Sequence, residues 1–150
     1  MRYFLDTEFN GFGGALLALA LVPEDGGEFY ATLECADPLE PWVAQNVIPF
    51  LDMVPVGLKA PRLGRREAAD ALAQYLAMDP EPEMVADWPD DITYFCSLLL
   101  IGPGQMVPVP PLKFRLLPLP GFSTAANSKV PHNALHDARA LREHVLGLEP

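Results

Sequence analysis

The sequence predicts an α/β fold built on a mixed sheet, and three observations predict it. The first 35 residues read as three strands separated by turn signals; beyond them, helical periodicity alternates with short strand-like runs; and no repeat or low-complexity break divides the 150 residues. Half of the residues are hydrophobic, enough to fill the core of one domain spanning residues 1–150.

Tyr3–Thr7 is an apolar run ending in polar residues, the signature of a first strand. A glycine-rich turn, Gly11–Gly14, leads into Ala15–Val22, a stretch apolar on both faces and therefore a central strand. Pro23–Gly27, with Asp25-Gly26 at its tip, signals a hairpin. Glu28–Cys35 then alternates as a third antiparallel strand, with Phe29, Ala31 and Leu33 on one face and Tyr30, Thr32 and Glu34 on the other.

Glu40–Val54 has helical spacing that Pro49 should break. Arg65–Met78 is a clearer helix, with Ala68, Ala69, Leu72, Tyr75 and Leu76 on its apolar stripe. Met84–Ala86 reads as a short buried strand, and Asp91 is expected to cap a helix over Ile92–Leu100, ended by Gly102-Pro103-Gly104. Val107–Leu112 is too rich in proline for a sheet interior, so Phe114–Leu117 is expected as a last edge strand, closed by Pro118 and Pro120. Asn133–Leu146 forms the final helix, with Ala134, Ala138, Leu141 and Val145 on its packed side.

The formal net charge of −10 disfavours electrostatic capture of nucleic acid by the surface as a whole. Divalent cations bound in an acidic cleft can reverse that sign locally. Cys35 and Cys96 lack zinc-type spacing and are expected as reduced, core-facing thiols. Ala15–Val22 is too short to span a bilayer, and no targeting signal is visible, so the expectation is a cytoplasmic protein without a membrane partner.

Asp6 and Glu8 stand two apart at the end of the first strand and so project to one side, where they repel unless a cation lies between them. Acids recur in Ala86–Asp91, at a strand-to-helix junction, and in His132–Ala138, at the start of the last helix. There Asp137 lies three residues after Ala134 and four before Leu141, which leans it towards the packed side. An inward carboxylate needs a partner, and a hard cation supplies one if other carboxylates converge. Two Mg²⁺ or Mn²⁺ ions about 4 Å apart can clamp a phosphodiester, and a nearby histidine can take the proton of the attacking water.

On these residues the sequence resembles the DEDD exonucleases. FLDTEFNG is similar to their first motif, a D-x-E closing strand one, and HNALHDA to the third motif of the histidine-containing (DEDDh) branch, with His132, Ala134 and Asp137 in register. The order of segments over nearly the whole chain agrees with the ribonuclease H-like sheet of that family, and the short length is nearest its compact exoribonuclease-like members. The resemblance implies a 3′–5′ exonuclease that releases nucleoside 5′-monophosphates from a single-stranded 3′ end, RNA ahead of DNA. It implies two Mg²⁺ or Mn²⁺ ions held by Asp6, Glu8, Asp91 and Asp137, with Asp6 bridging and His132 as general base. Thr7, through its backbone, with Phe9 and Asn10, would lie beside the terminal nucleotide. A homodimer, frequent among relatives, is left open.

The second motif departs from the family pattern of Asn followed by Phe-Asp. Asp87-Trp88-Pro89-Asp90-Asp91 stands there; Asp91 is assigned because it precedes the helical run, with Asp90 and Asp87 as alternatives. Gly121–Ala134, polar and loop-like, is expected to be mobile without substrate and to place His132. Arg62, Arg65, Arg66, Lys113, Arg115 and Lys129 are candidate phosphate contacts or ordinary surface charges, and Trp88 a candidate base-stacking residue beside the second motif. His136 and His144 are expected at the surface or in helix packing. The competing readings are a noncatalytic binding or interaction module on the same fold, which would normally be basic, and a phosphatase with a nucleophilic Asp in D-x-D. Glu8 replaces the second Asp of that motif, and an antiparallel start contradicts its parallel sheet.

Overall fold

The computed structural model describes residues 1–150. In chain order its elements are β1 (Arg2–Phe9), β2 (Leu16–Pro23), β3 (Phe29–Thr32), α1 (Pro41–Asn46), α2 (Arg65–Leu76), β4 (Glu83–Ala86), α3 (Pro89–Leu99), β5 (Leu100–Gly102), β6 (Gln105–Met106), β7 (Lys113–Leu116), α4 (Thr124–Asn127) and α5 (Ala134–Leu148). Five strands form one mixed sheet in the order β3-β2-β1-β4-β7, and β5-β6 is a separate hairpin. β1, β2 and β3 pair antiparallel; β4 pairs parallel with β1 and β7 parallel with β4.

Alternation along the strands divides the core in two. Tyr3 and Leu5 of β1 pack with Leu72 and Leu76 of α2 and Phe95 and Leu98 of α3. Phe4, on the opposite face, packs with Leu135, Ala138 and Leu141 of α5 and with Val43 of α1. All eight residues of β2 are buried, as its two-sided apolar sequence requires of an interior strand. Truncating a side chain as enclosed as Leu141 to alanine is expected to cost roughly 2–5 kcal/mol.

Several local expectations change. The third strand stops at Thr32, although Leu33 N–H still donates to the Leu17 carbonyl of β2 at 2.9 Å while Leu33 also bridges Leu63. Glu40–Val54 breaks at Val47 into a short helix and a 3₁₀ turn, Ile48–Phe50, that holds Pro49 in its first turn. α3 begins at Pro89 rather than Ile92, since proline at the first helical position loses no hydrogen bond. Asp91 is therefore inside the first turn and is not the cap. Leu100, expected to end that helix, instead opens a hairpin that turns at Gly102–Gly104, where Gly104 takes φ 65°. Cys96 is exposed rather than core-facing, and Cys35 is half-buried; both are free thiols. No helix is long and apolar enough to cross a membrane.

Parallel pairing of β1 with β4 ends at Phe4, opposite Val85. β1 runs on to Phe9, paired only with β2, and its register shifts between Glu8 and Phe9. The chain leaves β4 at Ala86 and turns directly into α3. A crevice therefore opens beside the carboxyl end of β1, the usual place for a ligand in an open α/β sheet.

Candidate functional site

Four elements, β1, α3, α4 and α5, reach this crevice. Asp6 and Glu8 project from β1 to the face covered by α5, and Asp137 comes from the first turn of α5. One carboxylate oxygen from each lies within 4.8 Å of the others. They line a cleft of about 270 Å³ together with Thr7, Phe9, Asp87, Trp88, Asp91, Thr124, Ala125 and His132. Asp90 is on the outside, accepting from the Trp88 indole at 3.1 Å.

Asp91 arrives from the other face of the sheet. Its Oδ1 accepts from the Thr7 backbone N–H at 3.0 Å and from the Thr7 hydroxyl at 2.6 Å. It lines the cleft but lies outside the triad of Asp6, Glu8 and Asp137. Of the Thr7 backbone, expected to contact a nucleotide, the N–H is thus already engaged.

His132 stands on the opposite wall. Pro131 and His132 are the central residues of a turn closed by Asn133 N–H donating to Val130 at 3.2 Å, and His132 takes φ 62° there. This is the left-handed position a type II turn demands after proline, and a strained one for histidine. The strain aims the His132 backbone N–H at Asp137 Oδ2, 3.2 Å away. Trp42 of α1 packs edge-on against the imidazole.

Asn133, absent from the sequence reading as a site-building residue, anchors this corner. It is fully buried; its Oδ1 caps α5 by accepting from Leu135 and His136 N–H, and its Nδ2 donates to the Phe50 carbonyl at 2.8 Å. An Asn immediately before an apolar helical run with an acid in its first turn is a legible capping signal. The remaining expected contacts divide. Phe9 lines the cleft with one face stacked on Tyr94 at 4.5 Å. Asn10 does not line it: its side chain donates to Pro38 and accepts from Glu40 N–H, tying the end of β1 to the loop before α1. The segment expected as a loop before His132 contains α4, capped by Ser123. His136 faces the Met53 carbonyl at 2.8 Å, and His144 stacks on Phe122 at 3.9 Å.

The turn after β1 presents an aromatic the sequence reading passed over. Phe12 is 100% exposed, held out between Gly11 and Gly13 at φ 75° and 71°. Gly14 cannot carry a side chain, because a Cβ there would stand 1.9 Å from the Asn10 carbonyl.

Crowding of acids sets the electrostatics. Burial, then the charges of Asp91, Glu8, Asp137 and Asp87, pushes the Asp6 carboxyl well above the usual carboxylate range. Burial, with Asp137 and Asp91 adding, pushes Glu8 up to about 8. Asp91 is pushed up to about 7 by burial against the opposing pull of the Thr7 hydroxyl. Burial also raises Asp137, with His132 pulling the other way, and raises Asp87.

Asp6 Oδ2 and Asp137 Oδ1 are buried with no hydrogen-bond partner. Orphaned carboxylate oxygens beside a third acid are costly in protein alone and suit a cation. The donors are all hard oxygens, the preference of Mg²⁺, Mn²⁺ or Ca²⁺ rather than structural zinc.

The chain resembles a named exoribonuclease over part of its length. Over 55 residues it is 44% identical to proteins named 3′-5′ exoribonuclease in Mycobacterium tuberculosis, from strains CDC 1551 / Oshkosh and ATCC 25618 / H37Rv. The match covers 34% of this chain and 33% of those proteins, so the chain spans about a third of the length of the curated relatives it matches. No family profile matches the chain.

Proposed function

We propose that the chain is a metal-dependent 3′–5′ exonuclease of the DEDDh type on a ribonuclease H-like fold, acting on single-stranded 3′ ends with RNA ahead of DNA. The observation that carries this reading is the convergence of Asp6, Glu8 and Asp137, with two orphaned oxygens, in a cleft that also holds Asp91 and His132. The strand order β3-β2-β1-β4-β7, with β2 alone running against the other four strands, supports the fold assignment. Partial identity to proteins named exoribonucleases supports the reaction and the preference for RNA.

In this reading Asp6, Glu8 and Asp137 would hold one Mg²⁺ or Mn²⁺, and Asp91 with Asp6 would hold a second. When bound, such a pair supplies a water nucleophile at neutral pH and stabilises the charge on the leaving oxygen. His132 takes the proton of the attacking water at an imidazole nitrogen, oriented by the turn at Pro131 and by Trp42. Phe9 borders the terminal nucleotide. Exposed Phe12 and Trp88 offer faces on which bases can stack.

The test uses 5′-labelled single-stranded RNA and its DNA counterpart, with Mn²⁺ or EDTA, for the wild type and Asp6→Asn. A ladder shortening from the 3′ end, abolished by EDTA and by the substitution, is the expected result. Folded protein that leaves both strands intact with Mn²⁺ present would overturn the proposal in favour of a noncatalytic module.

A further inference from the structure

β1 outruns β4, so beyond Phe4 its edge has no strand partner on that side. The Thr7 N–H on this edge is satisfied instead by a side chain, Asp91 Oδ1 at 3.0 Å, where an extended β4 would have offered a carbonyl. The Thr7 hydroxyl, on the α3 face beside Leu5, reaches the same oxygen at 2.6 Å. Asp91 is 3% exposed and Thr7 is buried, so water does not compete for either contact. Both donors converge on one oxygen, which leaves Oδ2 as the atom available to the cleft. Asp91 therefore stands apart from the triad of Asp6, Glu8 and Asp137 as a carboxylate clamped to present a single oxygen.

We infer that the Thr7 hydroxyl is the positioning group for the second cation, acting through Asp91; this rests on the two-ion reading proposed above. A carboxylate gripped at one oxygen cannot rotate to bind in bidentate fashion, and it keeps its free oxygen aimed at the cleft without rearrangement when the ion arrives. Outer partners of ligating carboxylates commonly set affinity by 10- to 100-fold. The Thr7 hydroxyl is thus a determinant of how many ions the cleft holds, and it acts through Asp91 rather than as a ligand itself. The backbone contact remains in any side-chain variant, so the hydroxyl's share is separable.

The experiment is Mn²⁺ titration, by calorimetry and by electron paramagnetic resonance of free Mn²⁺, on wild type, Thr7→Val, Thr7→Ser and Thr7→Ala. Thermal melts and circular dichroism report folding. Valine keeps the branched shape and removes the donor; alanine removes it without placing a methyl against Asp91. The expected result is two ions in the wild type, a loss of about 10-fold or more in the weaker affinity in Thr7→Val and Thr7→Ala, a tighter affinity unchanged within about twofold, and recovery in Thr7→Ser. Two ions with unchanged affinities in folded Thr7→Val and Thr7→Ala overturn this inference and leave the nuclease reading standing. A wild type that binds fewer than two Mn²⁺ defeats the two-ion reading itself, and this inference with it.

Discussion

Trp42 meets the imidazole of His132 edge-on, with ring centroids 4.9 Å apart and planes at 79°, although the indole is mostly exposed. An aromatic pair of this geometry contributes about 0.5–1.5 kcal/mol beyond area burial. Trp42→Ala is expected to slow hydrolysis between about two- and tenfold by loosening the proposed base, with Mn²⁺ affinity unchanged. Trp42→Phe should recover most of the loss. Equal rates for wild type and Trp42→Ala on the same RNA would rule the contact out as an orienting one.

His132→Asn probes the base while sparing the turn, since asparagine tolerates the left-handed backbone that His132 adopts at φ 62°. Its backbone N–H can still reach Asp137, so metal binding is expected to persist. The rate is expected to fall by about 10²–10⁴-fold. A folded, metal-binding variant as fast as the wild type would exclude His132 as the general base.

The raised carboxylates link stability to pH when metal is withheld. Glu8 titrates near 8 in the folded chain and in the ordinary carboxylate range when unfolded, so between these values the folded state binds the extra proton. Folding stability is then fully present below the unfolded value and is lost as pH rises through about 8. In EDTA, Tm is expected to be several degrees higher at pH 5.5 than at pH 8.5, a separation that Glu8→Gln reduces and saturating Mn²⁺ removes. The arginine-paired acids Glu24, Asp52 and Glu149 are shifted downward, so their contribution is lost only below this window. A metal-free protein as stable at pH 8.5 as at pH 5.5 would contradict the crowding of the acids.

Phe12 is wholly exposed and makes no packing contribution, so Phe12→Ala should leave stability within about 0.5 kcal/mol. Stacking on an exposed aromatic contributes about 1–3 kcal/mol per base. KM for a short RNA is accordingly expected to rise by about fivefold or more, with cleavage of the bound strand preserved. An unchanged KM would remove Phe12 from the substrate path.

Lys129 and Lys59 are the two basic side chains without an ion pair or hydrogen bond to the protein, and Lys129 belongs to the segment that ends at His132. Lys129→Ala is expected to weaken RNA binding and flatten its salt dependence by about one phosphate contact, with Lys59→Ala as a silent control. Indistinguishable salt slopes for the two variants would leave Lys129 as an ordinary surface charge.

The parts of the fold legible in the sequence are those governed by local period. The two-sided apolar run of β2, the alternation of β3 and the Asn133–Leu146 stripe each specify their own surroundings, and the structure agrees with them to within a few residues. The D-x-E spacing gave the common side of Asp6 and Glu8 by strand parity alone. What lay hidden depends on where neighbouring strands stop. Nothing in Asp87–Asp91 reveals that β4 ends early enough for Asp91 to bond the edge of β1, so a helix cap was the local reading. Cys96 sits among apolar neighbours in sequence yet is exposed, because the solvent-facing side of α3 is set by packing against β1 and α2 rather than by composition. Asn10 has the polarity of a substrate contact, but the loop at Pro38–Glu40 folds back onto it.

The early end of β4 also separates durability from chemistry along a single strand. β1 up to Phe4 is seamed into the sheet along both edges, and Tyr3, Phe4 and Leu5 fill the two cores, whereas beyond Phe4 its backbone is stitched to β2 alone and owes its remaining order to side chains. A lineage carrying this architecture can lose the proposed reaction by one substitution at the loose end and inherit an intact scaffold. It can equally retune that end, residue by residue, without first having to rebuild the sheet.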